Sequence, residues 1–551
     1  MYSNKENINI LTDLLVQFGV HHAVVCPGSR NAPIVHNLSE HPDVQCYPVT
    51  DERSAGFFAI GIAQATAQPV VVCVTSGSAL LNVAPAVAEA HYQHLPLIVV
   101  SADRPQAWIG QLDGQTLPQP DAFGCFVAKS VSLPEVHDDE ERWYCNRLVN
   151  DVLLETERPW HPCVHINVPI SEPLFTFDTP QLPRQRRIVR TAPATDHSSL
   201  CQPFLEAFLR AKRPMIVFGQ VSAHDFGGDG LDHLFSHVIV LHEALAPFPS
   251  VSHFDEVLYS CNDEQLQPDF VVYVGNTIVS KRLRKFLRGI SGLQVWHVTP
   301  SGRVEDPTMH LQGIVESDAE FFLQALNDRL MHRKLSQEAA DFRRLWLKVL
   351  KAADQKAQHY VPAYSQMAAV SYFEERISAL APAPSGIHYA NSTAIRLANI
   401  YARHYVWCNR GVNGIEGSLS TAAGFSAVSS GRVFCVVGDL SFFYDQNALW
   451  NQNLWGNLRI LLLNNGKGGI FDMLPGLEQS PARDRLVAGQ HQTTAEGICQ
   501  QNDVYYQQAT DEESMRRGID LLLSEDFSRP MLLEVLTDAA TDAAVFKTYL
   551  R

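Results

Sequence analysis

Short runs of aliphatic, largely β-branched residues recur along this chain, and helix-length segments separate them. Residues 23–26, 70–75, 97–101 and 163–168 form one set, residues 215–218, 238–241, 270–274 and 295–298 a second, and residues 433–437, 460–463 and 531–535 a third. Runs that are apolar throughout, rather than alternating, belong to strands covered on both faces. Helical segments such as 11–18 and 55–65 provide the crossovers that parallel strands need. The fold class is therefore expected to be α/β with parallel sheets. At 551 residues the chain exceeds what one hydrophobic core organises. A proline-rich stretch over 169–193, with Pro173, Pro180 and Pro183, reads as a linker, and a charged helical region over 317–359 closes the second set. The expected domains are 1–180, 190–335 and 355–551.

A formal net charge of -16 argues against a nucleic-acid or anionic-membrane partner, either of which asks for a basic surface. Basic clusters must then serve local purposes. The longest apolar runs, 69–75 and 95–101, fall far short of the roughly 20 residues that span a bilayer. Residues 1–10 lack an apolar signal region, so the expected location is cytoplasmic. The eleven cysteines show neither Cys-x-x-Cys nor Cys/His zinc spacing and are expected to be small buried hydrophobes.

Two of the apolar runs end in informative turns. The first is followed by Gly438-Asp439-Leu440-Ser441, the second by Asn464-Asn465-Gly466-Lys467-Gly468-Gly469. Either turn alone could be an ordinary strand end. Joined by one helix, the two strands make a βαβ unit, and ligands of such sheets sit beyond the carboxyl ends of the strands. Asp439 and Asn465 are thus expected side by side, offering a carboxylate and an amide oxygen. A hard ion such as Mg²⁺ takes a few protein oxygens and completes its shell with phosphate oxygens, so a magnesium-bound diphosphate suits this edge. The arrangement resembles the signature of the thiamine-diphosphate-dependent enzymes. The resemblance implies that Asp439, Asn465 and the carbonyl of Lys467 hold the metal, Mg²⁺ or Mn²⁺. It also implies that Gly438, Leu440, Ser441 and Ile470 contact thiamine diphosphate.

That chemistry also needs an acid against the cofactor's pyrimidine. The resemblance selects Glu52, in Thr50-Asp51-Glu52-Arg53 at the start of an alanine-rich helix, where the competing reading is a first-turn acid facing the helix dipole. The family fold is three doubly wound parallel-sheet domains in series: pyrimidine-binding, central and diphosphate-binding. Its cofactor bridges two chains, which implies a homodimer or a dimer of dimers.

A closer resemblance runs through all three domains. Cys26-Pro27-Gly28-Ser29-Arg30, Ala102-Asp103-Arg104-Pro105, Ser280-Lys281-Arg282-Leu283, Asn391-Ser392 with Arg396, and Asn409-Arg410-Gly411 with Gly414-Ile415 are similar to the menaquinone-pathway MenD family. Gly438-Asp439-Leu440-Ser441 belongs to the same set, with Leu440 where most thiamine enzymes carry Gly. The implied reaction is decarboxylation of 2-oxoglutarate and conjugate addition of the resulting carbanion to isochorismate. These substrates bring four carboxylates to one cleft, which guanidinium groups suit. The implied substrate residues are Ser29, Arg30, Arg104, Gln115, Lys281, Arg282, Ser392, Arg396, Arg410, Phe471 and Leu474. Gly114, beside Gln115, stands where the family pattern has Asn. Ile415 is expected to prop the cofactor in its bent form. Ile470, Phe471 and Leu474 are read as a helical stripe walling isochorismate, with core packing as the competing reading. His91 and His94 suggest packing or capping rather than a metal site. Alternatives are another thiamine-dependent carboligase, such as an acetohydroxyacid synthase, or a non-catalytic homologue.

Overall fold

The structure, a computed structural model, describes residues 1–191, 201–260, 263–333, 335–474, 476–524 and 527–551. Three parallel sheets follow one another along the chain. The first contains β1 (His22–Val25), β2 (Gln45–Pro48), β3 (Val70–Val74), β4 (Leu97–Asp103), β5 (Lys129–Ser132) and β6 (Val164–Pro169), in the order β2-β1-β3-β4-β6-β5. The second contains β7 (Pro214–Phe218), β8 (Ile239–Leu241), β9 (Phe270–Val274), β10 (Gln294–Thr299) and β11 (Leu311–Glu316), in the order β11-β10-β9-β7-β8. The third contains β12 (Gly386–Tyr389), β13 (Val433–Gly438), β14 (Leu458–Asn464), β15 (Tyr505–Ala509) and β16 (Met531–Leu536), in the order β12-β13-β14-β16-β15. With helices interspersed between the strands, these are three α/β domains in series.

All the strands read from apolar runs are present. The five strands the sequence did not suggest, β2, β5, β11, β12 and β15, all lie at sheet edges. An edge strand is half-exposed and needs no continuous apolar run, as the mixed burial of β5, β11 and β15 illustrates. β12 is buried but has only four residues, Gly and His among them. After β6, residues 170–191 carry no helix or ladder strand, and residues 192–193 of the expected linker lie outside the described residues. The charged region resolves into two helices, Ala319–Met331 and Gln337–His359.

The first and third domains share a core. Phe57, Phe58 and Ile60 of the helix Glu52–Thr66 pack in one cluster with Leu419, Ala422 and Val437. The helices Glu52–Thr66 and Ser418–Ala427 cross closely through two glycines. A Cβ on Gly61 would lie 1.9 Å from the Thr421 oxygen, and one on Gly424 would lie 1.9 Å from the Phe58 oxygen. This crossing seats the N-terminus of the Glu52 helix against the third domain: Arg53 Nη2 donates to Tyr444 O (2.9 Å) and Asn447 Nδ2 to Asp51 Oδ2 (2.7 Å).

Candidate active site

Strand register brings the two turns together. β13 and β14 pair with Gly438 opposite Leu463, so both chains leave the sheet at one level. Asp439 is buried, and its Oδ2 accepts the main-chain N–H of Asn465 (3.2 Å) and of Gly466 (2.8 Å). Gly466 holds φ +76°, a conformation side chains disfavour. Asn465 Nδ2 donates to Asp542 Oδ2 (2.9 Å). Because a carboxylate only accepts, this bond turns the amide nitrogen to Asp542 and leaves Oδ1 as the amide's oxygen donor. Asp542 is itself held by the N–H of Gln366 (2.8 Å) and the hydroxyl of Thr537 (2.8 Å).

Lys467 Nζ lies between Asp472 (2.9 Å) and Asp484 (3.1 Å). Burial acts to lower its pKa, but these two carboxylates outweigh it and raise the pKa. With the ammonium engaged, the main-chain carbonyl is what Lys467 has left to offer. His491 Nε2 lies 3.4 Å from Asp439 Oδ2, buried and without a hydrogen-bond partner. Among the described residues no three His, Cys, Asp or Glu side chains cluster as a metal site. The edge instead presents one carboxylate, one amide oxygen and one carbonyl. This hard-oxygen set suits a divalent ion that keeps room for diphosphate oxygens.

Beyond Asn465 a cavity of about 260 Å³ opens between the central and third domains. Lys281, Arg282, Arg396, Asn465, Ile470 and Leu474 all line it. Arg396, on the helix Thr393–Tyr401, donates among the described residues to Ser392 O (3.3 Å). Arg410 is 8% exposed; its Nη1 donates to Asn391 Oδ1 (2.9 Å), while its Nε is buried with no partner. Neither arginine forms an ion pair among the described residues. Burial first, then the neighbouring Arg410, pushes the pKa of Arg396 down to about 10. The wall also carries Glu243, Asp255, Glu256 and Asp542, so what stands out is the unpaired Arg396 guanidinium rather than an excess of positive charge.

The loop that follows is tied to the metal edge. Asn391 Nδ2 donates to Asn409 O and Gly414 O (2.7 Å each), and the Ser441 hydroxyl donates to Ile415 O. Ser392 has φ +72° and does not line the cavity. Lys281 is exposed at the start of the helix Lys281–Arg288. Arg282 is paired with Asp255 and stacks 4.9 Å over the Tyr259 ring. Ile470 and Phe471 lie on a 3₁₀ helix, Gly469–Met473, capped by Leu474, rather than on the expected α-helical stripe. Ile470 and Leu474 face the cavity, whereas Phe471 packs over Gly468, where a Cβ would meet its ring at 2.9 Å.

The remaining candidates belong to the first domain. Asp51 caps the helix Glu52–Thr66, accepting from Arg53 N (2.9 Å) and Ser54 N (3.3 Å). Glu52 is therefore free of capping, and its Oε2 accepts from Asn82 Nδ2 (3.2 Å). After β1, Ser29 is exposed and Arg30 is buried, donating to Ile170 O (2.9 Å) and pairing with Glu172 (3.1 Å). After β4, Arg104 donates to Gly114 O (3.3 Å) and lies 3.6 Å from Asp113, and Gln115 follows with φ +57°. None of these five lines the chain's cavity. The predicted residues thus fall into two groups, one at the first sheet's edge and one between the other two domains. His91 and His94 serve packing and capping: His91 bonds Phe126 O (3.1 Å), and His94 ends its helix at φ +58°. Sequence reasoning missed Asp542 and Glu243, both in the cavity wall, since nothing local marks them.

Family models match two regions: "Thiamine pyrophosphate enzyme, N-terminal TPP binding domain" over residues 8–123 and "Middle domain of thiamine pyrophosphate" over residues 186–380. A 2-succinyl-5-enolpyruvyl-6-hydroxy-3-cyclohexene-1-carboxylate synthase of Bacteroides thetaiotaomicron is 44% identical over 561 residues, covering 100% of this chain and 99% of its own length. The chain belongs to this synthase family. Synthases of the same name from Phocaeicola vulgatus (43% identical; 100% of this chain, 98% of its own) and Porphyromonas gingivalis (33%; 100% and 97%) match along their whole lengths too. The synthase family is a thiamine-diphosphate-dependent carboligase family of menaquinone biosynthesis, and this membership displaces the acetohydroxyacid synthase alternative. Among the described residues of this synthase, no helix is long and apolar enough to cross a membrane.

Proposed function

We propose that this synthase decarboxylates 2-oxoglutarate and joins the remaining four-carbon unit to isochorismate by conjugate addition, yielding the cyclohexene carboxylate for which its relatives are named. Arg396 and Arg410 carry this reading. The Arg396 guanidinium in a cavity opening on Asn465, with the buried Arg410 beside it, neither paired with a carboxylate among the described residues, suits substrates rich in carboxylates. When bound, thiamine diphosphate supplies the electron sink for decarboxylation. The Asp439 carboxylate, Asn465 Oδ1 and the Lys467 carbonyl would hold its Mg²⁺, with Mn²⁺ as the alternative ion. Gly438, Leu440, Ser441 and Ile470 would line it, Ile415 would support its bent form, and Glu52 would hydrogen-bond its pyrimidine ring and help shift it to the imino tautomer. Lys281 and Arg282 would join Arg396 and Arg410 on the substrate carboxylates, Leu474 would complete that wall, and Ser392, whose carbonyl holds Arg396, and Phe471, packed over Gly468, would stand behind it.

Ser29, Arg30, Arg104 and Gln115 would reach the cavity of a second copy, giving a homodimer in which Glu52 of one subunit faces Asp439 of the other. The assembly is taken as this homodimer or a dimer of such dimers. Support comes from the separation of the two groups within one chain and from exposed apolar side chains at the first: Leu81 beside Asn82, and Trp108 and Leu112 between Arg104 and Gln115. The domains are taken as 1–180, 190–335 and 355–551, and the location as cytoplasmic. The deciding assay supplies thiamine diphosphate, Mg²⁺, 2-oxoglutarate and isochorismate and follows isochorismate absorbance. Consumption is expected; turnover of pyruvate with isochorismate untouched would reject the reading.

A further inference from the structure

Glu243 is one of four acids, with Asp255, Glu256 and Asp542, in the wall of the cavity that also holds Lys281, Arg282 and Arg396. It is 4% exposed and follows β8. Its two oxygens accept the main-chain N–H groups of consecutive residues, Oε2 from Val279 (2.6 Å) and Oε1 from Ser280 (2.8 Å). These residues end just before Lys281 and Arg282, and the Ser280 side chain caps the helix they begin. The next residue, Ala244, is fastened to the third domain: its N–H donates to Asn399 Oδ1 (3.0 Å), on the helix that carries Arg396, and its carbonyl accepts from Val406 N (2.9 Å).

One dipeptide therefore couples the turn that presents Lys281 and Arg282 to the helix that presents Arg396. The same device occurs where the first domain meets the loop after Arg410. There buried Glu89 accepts from Gly411 N and Val412 N (2.7 Å each). A carboxylate taking two adjacent N–H groups fixes a segment's orientation more firmly than one bond does, because both dihedrals of the gripped peptide are constrained.

We propose that Glu243 is a positioning residue of the substrate cavity, its carboxylate clasping the 279–280 main chain so that Lys281 and Arg282 stand in fixed register with Arg396 and Arg410. This rests on the carboxylate-substrate reading above. It assigns Glu243 no contact with the reacting atoms. A Gln in its place would keep one acceptor but set an amide N–H₂ against the other main-chain N–H, so the clasp would open while the shape stayed.

The full-length Glu243→Gln and Glu243→Asp proteins test this in three readouts. In Glu243→Gln, KM for at least one substrate is expected to rise tenfold or more, kcat to fall by less than KM rises, and the Kd of Mg²⁺–thiamine diphosphate, read by tryptophan fluorescence, to stay within twofold. Glu243→Asp, which keeps the charge, is expected to recover at least threefold of the lost kcat/KM. Calorimetric binding of 2-oxoglutarate is expected to weaken with the KM. Unchanged KM, or equal losses in KM, cofactor Kd and melting temperature, would overturn the positioning role. If wild type binds 2-oxoglutarate but leaves isochorismate untouched, the functional reading fails, and the effect of Glu243→Gln on 2-oxoglutarate binding still decides the positioning role. If wild type binds no 2-oxoglutarate, both fall.

Discussion

The two ends of the cavity are built differently. The diphosphate end comes from one sheet: two adjacent parallel strands deliver Asp439 and Asn465 by register alone, and a single carboxylate oxygen ties their turns together. The basic end comes from segments far apart in sequence. Glu243 and Ala244 help to fasten the central domain, which carries Lys281, to the third, which carries Arg396 and Arg410, together with bonds such as Gln220 to Cys408 and Tyr549 to Glu256. On the proposed function, chemistry shared by a whole superfamily would sit on the local, topologically dictated end, and substrate choice on the assembled one. Mutations at the first end should therefore damage cofactor binding, and mutations at the second should damage substrate binding with the cofactor intact.

Removing the metal donor breaks the comparison most severely. Asp439→Ala should abolish cofactor binding and lower activity by about a thousandfold or more, since it removes both the charged metal ligand and the bond between the turns. Chelation of the metal should copy the loss in wild type, and restored Mg²⁺ should reverse it. Retained cofactor affinity in Asp439→Ala, measured by fluorescence titration, would contradict the assignment of this end.

Glu52→Gln should lower kcat by about 10²–10⁴-fold, the range of a positioned proton-handling group. Because Glu52 belongs to neither end within its own chain, mixing Glu52→Gln with Asp439→Ala subunits should restore part of the activity through hybrid sites. No recovery, with subunit exchange demonstrated, would remove the second copy from the comparison.

Arg396→Ala should lower kcat/KM for isochorismate by about a hundredfold, near 3 kcal/mol, the scale on which a charge-assisted hydrogen bond counts in a desolvated site. Cofactor affinity should hold. Asp542→Asn should do the converse on a smaller scale, weakening Mg²⁺–thiamine diphosphate by about tenfold, because an amide at 542 no longer dictates which way Asn465 turns its oxygen. Equal cofactor losses in both variants would erase the distinction between the ends.

Legibility in the sequence follows the same division. Asp439 and Asn465 could be placed because each directly follows a strand buried along its apolar run, and parallel pairing leaves little freedom in where strand ends meet. The inner strands were legible for the same reason, whereas edge strands such as β5 and β15 lack the uninterrupted apolar run. Arg396 and Arg410 carried no local signature beyond family likeness; their meaning lies in standing close together with no carboxylate paired to either among the described residues, which only packing reveals. Asp542 and Glu243 were not legible, since Asp542 acts on a residue 77 positions away and Glu243 on one 36 positions away. The stripe at Ile470, Phe471 and Leu474 reads as α-helical in sequence because five residues of 3₁₀ helix offer too short a window to separate three residues per turn from 3.6.

The smallest expected effect is one of pH, and it separates clasp from stability at the basic end. Burial pushes the pKa of Glu243 up to about 7, against the pull of its two N–H bonds and of Arg410. The charged and titratable groups around it include Arg396 and Arg410 from the third domain, Lys281 and Arg282 from the gripped helix, Asp255 and Glu256 from the helix Phe254–Ser260, and Tyr273 of β9; beside it, burial holds the pKa of His242 down to about 3, which keeps that ring neutral. An acid whose folded pKa is raised binds its proton more tightly folded than unfolded, so its stabilising contribution is full below the unfolded value and is lost as pH rises through about 7. Buried Asp445, pushed up to about 6, adds in the same direction. The clasp works the other way, because only the carboxylate grips both N–H groups. From pH 8 to pH 6, KM for the substrate held by Lys281 and Arg282 should therefore rise by about two- to fourfold while the melting temperature rises, and Glu243→Gln should flatten the KM limb. A KM that falls with pH alongside rising stability would mean that the basic end tightens simply because the fold does, and the two ends would no longer differ in how they are held.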